Sequence, residues 1–262
     1  MVFVEKGGEI IPKITGADHS FRNENSLKIA FITNCPECGT ELTKNEGEVN
    51  HFCPNYLHCP PQLKGRIEHF ISRKAMDIDG LGEETIDLLF SSNLIRNFAD
   101  LYDLEPELLV PLERLGEKSV SNILKSIAKS VEIPYHRVLF ALGIRHVGET
   151  IAKTLSGKFR TIDDLINATT EQLTSVTEIG PKIAASIVSY FSDKENLELI
   201  GRLRSRGIKF ISEREIIPES NALGGKTIVI SGVFVRHTRD EYKGLIEKHG
   251  GKNASSVSGN TS

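Results

Sequence analysis

Four stretches decide the fold: AMDIDGLGEETIDLL (75–89), LVPLERLGEKSVSNI (109–123), ALGIRHVGETIAKTL (141–155) and LTSVTEIGPKIAASI (173–187). Each centres on a glycine, and Gly82, Gly116, Gly148 and Gly180 follow one another at 34, 32 and 32 residues. One position before the glycine stand Leu81, Leu115, Val147 and Ile179. Four before stand Ile78, Leu112, Ile144 and Val176; seven before, Ala75, Leu109, Ala141 and Leu173. Four after stand Ile86, Val120, Ala152 and Ala184; seven after, Leu89, Ile123, Leu155 and Ile187. All twenty positions are apolar, where a hydrophobic composition of 39% would fill about eight. A fixed period of this length marks a repeated supersecondary unit.

Offsets of three and four on both sides of the glycine place one apolar face on each of two helices. Each unit reads as a helix, a tight turn and a second helix. The glycine sits at the joint, where a reversal can require φ > 0 or leave no room for a side chain. The second helix starts just after it, and Pro181 suits such a start. Its unpaired N–H groups then face outward past a residue without a side chain, which makes an anion site. This is how a helix-hairpin-helix unit holds a nucleic-acid phosphate without reading a base. The plainer reading is that the glycines only let helices pack.

The hairpins differ in charge. Two residues past the glycine stand Glu84, Lys118, Thr150 and Lys182. Glu84 opposes a phosphate, so the first hairpin reads as structural. Lys118 and Lys182 favour phosphate and put the weight on the second and fourth hairpins. Thr150 can donate a hydroxyl, with Arg145 and His146 nearby. His146 has no nucleophile or carboxylate beside it and reads as a phosphate or water contact. Arg114 stands where a glycine often precedes, which is tolerable if φ there is not positive. The candidate contacts are Gly80, Gly82, Gly116, Lys118, Arg145, His146, Gly148, Thr150, Gly180 and Lys182, and no catalytic residue is assigned.

At 262 residues the chain exceeds one average domain. Its net charge of −3 and pI near 6.3 leave any nucleic-acid contact to local patches and backbone amides. No apolar run approaches the ~18 residues of a membrane span. Glu5 and Lys6 interrupt the N-terminal apolar stretch, so it is no signal peptide. The expected protein is cytoplasmic, monomeric and without a membrane partner.

Residues 1–14 read as two strand pieces about Lys6-Gly7-Gly8 that need a partner sheet, and residues 15–25 as a linker. All four cysteines follow, as Cys35-x2-Cys38 and, 14 residues later, Cys53-x5-Cys59. Four thiolates complete a tetrahedron around Zn²⁺ and leave no open position, so the site is structural. Fewer than thirty residues bury no core, and metal binding would supply the folding free energy, on the order of 10 kcal/mol. Two disulfides or free thiols are the other reading, and His51 and His58 are alternative ligands. Residues 61–74 read as a helix with Leu63, Ile67, Phe70 and Ile71 on one face and Lys64, Arg66, Arg73 and Lys74 on the other. Those cations are a solvated face or a DNA-backbone contact. Residues 191–221 read as a charged helix and a linker around Pro218. A strand over Lys226–Ser231, a helix from about Arg239 to His249 and the start of another strand follow.

Two motifs are decoys. Gly225-Lys226-Thr227 ends like a phosphate-binding loop, but Ser220 holds the place of its first glycine. Lys44-Asn45-Glu46-Gly47 resembles the nucleotidyltransferase signature with Glu for Asp, inside the cysteine loop.

The cysteine spacing, HFISRKAMDIDGLG (His69 to Gly82), the four hairpins and a terminal GKTIVISG…IEKHGGKNASSVS together resemble the bacterial NAD-dependent DNA ligases. The resemblance covers essentially the whole chain. It implies a mainly α, multidomain protein: 1–16 as the last strands of an OB fold, 30–61 as a zinc finger, 62–214 as the helix-hairpin-helix DNA-binding domain, and 222–262 as the first half of a BRCT domain. It implies zinc on Cys35, Cys38, Cys53 and Cys59, and hairpins holding duplex DNA, preferably nicked, through the minor groove. NAD and Mg belong to the full-length enzyme only. The family's adenylation domain and its lysine find no counterpart in these residues, so a C-terminal fragment unable to adenylate or ligate alone is expected. A free-standing DNA-binding module and a BRCT-type interaction scaffold are the alternatives.

Overall fold

The structure is a computed structural model. It describes residues 1–262 apart from 9, 10, 24, 26, 28, 29, 45, 46, 48, 213–219, 233, 255, 258, 260 and the side chain of residue 240. The linker around Pro218 and the Asn45-Glu46 pair lie outside the described residues. The chain divides into two compact units, Met1–Pro61 and Gln62–Ser262.

In the first unit, β1 (Val2–Gly7) and β2 (Ile11–Ala17) form an antiparallel ribbon, with Val2 opposite Ala17 and Gly7 opposite Ile11. The expected linker after residue 14 begins later. β2 runs to Ala17, and a 3-10 turn, His19–Phe21, follows because Asp18 caps it, its Oδ1 accepting from the Ser20 amide at 2.9 Å. Val2, Phe3, Val4, Ile11 and Ile14 stay exposed along the ribbon.

The second unit is mainly helical. Its helices are α1 (Pro60–Ile71, begun in the first unit), α2 (Glu83–Ser91), α3 (Pro106–Leu109), α4 (Glu117–Ser130) and α5 (Tyr135–Ala141). Then come α6 (Glu149–Lys158), α7 (Ile162–Ile166), α8 (Thr170–Thr174), α9 (Pro181–Ser192) and α10 (Lys194–Ser205). The repeat periodicity is the core. Of its twenty apolar positions seventeen are buried, and Leu112, Leu115 and Val176 are half-buried against the same cluster.

The second helix of every hairpin is regular, but the first is not. In the second hairpin it is α3, a single turn: Val110 still has helical dihedrals and donates to the Pro106 carbonyl, and Pro111, which has no N–H, cannot continue the hydrogen bonding. In the fourth it is α8, also one turn. α1 stops at Ile71, short of the expected residue 74. A 3-10 turn, Phe98–Asp103, packs Phe98 face to face on Phe70 of α1, with centroids 4.6 Å apart. Asn97 and Asp100, Thr161 and Asp164, and Thr169 and Gln172 form capping boxes that start this turn, α7 and α8.

The last piece is a βαβ unit. β3 (Thr227–Val229) and β4 (Lys252–Ala254) pair in parallel, with α11 (Arg239–Lys248) as the crossover. β3 is shorter than the expected Lys226–Ser231. Ile246 of α11 is buried, and its Cγ2 would stand 2.7 Å from a Cβ on Gly251, which that position leaves out.

Candidate metal centre and nucleic-acid interface

Cys35 to Gly39 form a tight knuckle. The Gly39 amide donates to the Cys35 carbonyl at 2.9 Å and the Cys35 amide to the Thr40 carbonyl at 2.8 Å. Gly39 takes φ of 72°, which costs a glycine nothing. The Asn34 side chain donates to the Gly39 carbonyl at 2.9 Å and locks the turn. Strand bridges Asn34–Glu41 and Thr43–Phe52 return the chain so that Cys53 and Cys59 face the knuckle. The four sulfurs then lie within 4.8 Å of one another. Cys38 and Cys53 sulfurs stand 3.5 Å apart, and those of Cys35 and Cys59 3.9 Å apart.

These separations are too long for S–S bonds. They fit a tetrahedral ion: zinc–sulfur bonds of about 2.3 Å put sulfurs ~3.8 Å apart. Cys35 and Cys59 are buried, as a closed structural site requires. Hydrogen bonding with the Thr40 side chain, ahead of the Thr40 backbone, lowers the Cys38 thiol to about 6, toward the thiolate. Burial, ahead of its cysteine neighbours, raises that of Cys53. His51 and His58 are not members of the cluster, and the His51 ring packs on Phe31 at 4.3 Å.

The four hairpin glycines share one geometry. Gly82, Gly116, Gly148 and Gly180 are the N-caps of α2, α4, α6 and α9, with φ between −76° and −83°. Each glycine carbonyl accepts the first helical hydrogen bond, from Ile86, Val120, Ala152 and Ala184 at 2.9–3.0 Å. The expectation of φ > 0 at these glycines is therefore corrected. The left-handed residue lies two positions earlier, at Gly80 (φ 88°), Arg114 (71°), His146 (66°) and Glu178 (70°). The tolerance granted to Arg114 fails with it, since Arg114 is at positive φ.

Nor does the fold need the four glycines for room. A Cβ built on any of them meets nothing within 4 Å. A serine or aspartate would cap the helix better. What the absent side chain leaves open is the approach to the amides behind it. In α4 and α6 the N–H groups of Glu117, Lys118, Ser119, Glu149, Thr150 and Ile151 have no hydrogen-bond acceptor among the described residues. In α9 two of the first three positions offer none outward: Pro181 has no N–H, and the Ile183 amide donates to the Gly180 carbonyl at 3.1 Å.

The candidate contacts Lys118, Arg145, His146, Thr150 and Lys182 are all exposed at these helix starts. Gly80 belongs to packing as well. Its Cβ would stand 2.9 Å from Ile123 Cγ1 of α4, and the neighbouring Asp79 amide donates to Ser126 Oγ at 2.8 Å. The first hairpin thus rests its tip on α4, and Glu84 reaches Arg114 at 3.8 Å. Sequence reasoning missed Glu149 at the first position of α6 and Glu178 at the tip of the fourth hairpin, and it read Lys74 as a solvated or DNA-facing cation where it pairs with Glu149 at 2.6 Å. Glu149 and Glu178 were readable by counting from the repeat glycine; the reach of Lys74 was not.

A four-thiolate knuckle followed by a tandem of hairpins, each opening its second helix on a glycine, defines a modular chain of the zinc-knuckle and helical-hairpin class. The family model of the NAD-dependent DNA ligase C4 zinc finger domain matches residues 34–60. A SAM-like helix-hairpin-helix tandem matches 72–129, a helix-hairpin-helix motif 137–200, and a BRCT domain 218–262. The chain is 54% identical over its whole length to a DNA ligase of Bacteroides fragilis, 55% to one of Phocaeicola vulgatus, and 53% over 99% of its length to one of Flavobacterium psychrophilum. It spans about 40% of the length of these relatives. Over that span the chain is similar to the DNA ligases, and the segment that matches the NAD-dependent DNA ligase zinc finger, with its four clustered cysteines, calls for zinc as cofactor.

Proposed function

We propose that this chain is the DNA-holding C-terminal portion of an NAD-dependent DNA ligase. One observation carries the reading. Glycine stands four times at a helix start where neither its φ nor its surroundings demand it. A ligand that must approach the amides closely supplies the missing reason. Phosphates meet these amides without base contact, so binding is to duplex DNA of any sequence. A nick is the preferred target because it frees the duplex to bend around the hairpins.

Cys35, Cys38, Cys53 and Cys59 hold the zinc, which braces the loop and takes no part in chemistry. Amide availability and charge favour the third hairpin, through Gly148, Thr150, Arg145 and His146. The second follows, through Gly116 and Lys118. The fourth contributes Lys182 and Gly180 against the opposing Glu178. Gly82 and Gly80 belong to the first, which mainly packs. The exposed apolar residues of the β1–β2 ribbon support reading residues 1–16 as part of a larger OB-type sheet, ahead of modules at 30–61, 62–214 and 222–262. No described helix is long and apolar enough to cross a membrane; the proposed portion acts as a cytoplasmic monomer.

Fluorescence anisotropy on nicked and intact duplexes over a salt series tests this. The zinc-loaded chain binds both, the nicked one more tightly, and Lys118→Ala lowers the salt slope by about one. Absence of binding at low salt overturns the reading in favour of an interaction scaffold.

A further inference from the structure

We infer that Lys74, which lies outside all four hairpins, is a positioning residue of the third: it neutralises the carboxylate that would otherwise repel DNA from that hairpin. The inference rests on the DNA-binding reading above.

The problem it solves is local. α2, α4 and α6 each begin with a glutamate beside the capping glycine, at Glu83, Glu117 and Glu149. A carboxylate there suits the helix dipole but occupies the field that a phosphate needs. Only Glu149, among these three in the described ion pairs, is held by a cation, with Lys74 Nζ at 2.6 Å from its Oε1.

The lysine does not reach there by chance of a long side chain. The Arg137 guanidinium of α5 donates to the carbonyls of Arg73, at 2.5 Å, and Lys74, at 3.2 Å. His69 Nε2 meets the Phe140 carbonyl at 2.8 Å, and its ring sits edge-on to Phe140 at 4.7 Å. The segment 69–74 is thereby fastened to the first helix of the third hairpin, while its lysine reaches the start of the second. Arg114 has the opposite disposition, drawn to Glu84 of the first hairpin. The pairings compensate the third hairpin and occupy a cation of the second.

The test measures affinity for a 5′-phosphorylated nicked duplex in four chains: unsubstituted, Lys74→Ala, Glu149→Gln, and both together. Lys74→Ala weakens binding about three- to fivefold, the scale of one exposed ion pair. Glu149→Gln binds as well as the unsubstituted chain or better. The double variant returns to the Glu149→Gln affinity, because no charge is left to neutralise. Lys74→Arg keeps binding and shows that the charge, not the fold, is read. No loss in Lys74→Ala overturns the inference, and so does a loss that persists in the double variant, which would mark Lys74 as a direct phosphate contact or a packing residue. Failure of the unsubstituted chain to bind overturns the DNA-binding reading itself and this inference with it.

Discussion

Arg114, His146 and Glu178 hold φ near 70°, a region that costs an L-residue about 1–2 kcal/mol. The first hairpin uses Gly80 at the same position without that cost. Arg114→Gly and Glu178→Gly should therefore each stabilise the chain by about 0.5–1 kcal/mol, read as a higher urea midpoint with unchanged m. The two part company on DNA. Arg114→Gly loses a cation and weakens binding, whereas Glu178→Gly removes a like charge and tightens it. A matched loss of affinity in both would show that the tip backbone, not its charge, meets the phosphate. At this scale the four cysteines that cluster were legible from their spacing. Which residue of each hairpin carries the positive φ was not, because a turn's dihedrals depend on where the incoming chain docks.

At the element scale the hairpin is defined by its second helix. α2, α4, α6 and α9 follow from an apolar row at +4 and +7 and a glycine that contributes only its carbonyl to capping. The incoming arm varies from twelve residues in α1 to four in α3. This separation gives a clean prediction. Gly148→Val places a side chain where φ of −83° and open space accept it, so thermal unfolding should move by no more than a few degrees. Affinity for nicked duplex should nonetheless fall at least tenfold, because the Cβ branches stand in front of the amides. Unchanged affinity would return the glycines to a packing role.

The whole molecule is two compact units held by different forces. In Gln62–Ser262 a large apolar cluster, from Ile67 to Phe210, supplies the stability. Among the described residues of 34–60 only Cys35 and Cys59 are buried apolar ones. Metal must therefore supply the stability there, on the order of 10 kcal/mol. Chelation, or Cys53→Ser, should raise amide exchange across 34–60 to that of an unfolded chain. The exchange protection of α4, α6 and α9 and their cooperative melting should be kept. Hydrogen exchange read by mass spectrometry distinguishes the cases, and persistent protection of 34–60 without metal would refute a structural zinc.

The sequence by itself determined the four cysteines that cluster and the twenty repeat positions that line the core. Each of these is carried by spacing along one chain, and a helical face or a thiolate knuckle needs no distant partner to be recognised. Only the tertiary structure decided which hairpin presents its amides without an opposing charge. Lys74 and Glu149 are 75 residues apart and meet at 2.6 Å, and Glu84 and Arg114 are paired across two hairpins. Such pairings depend on how the hairpins stack, which the buried apolar faces dictate and no local pattern of charges encodes.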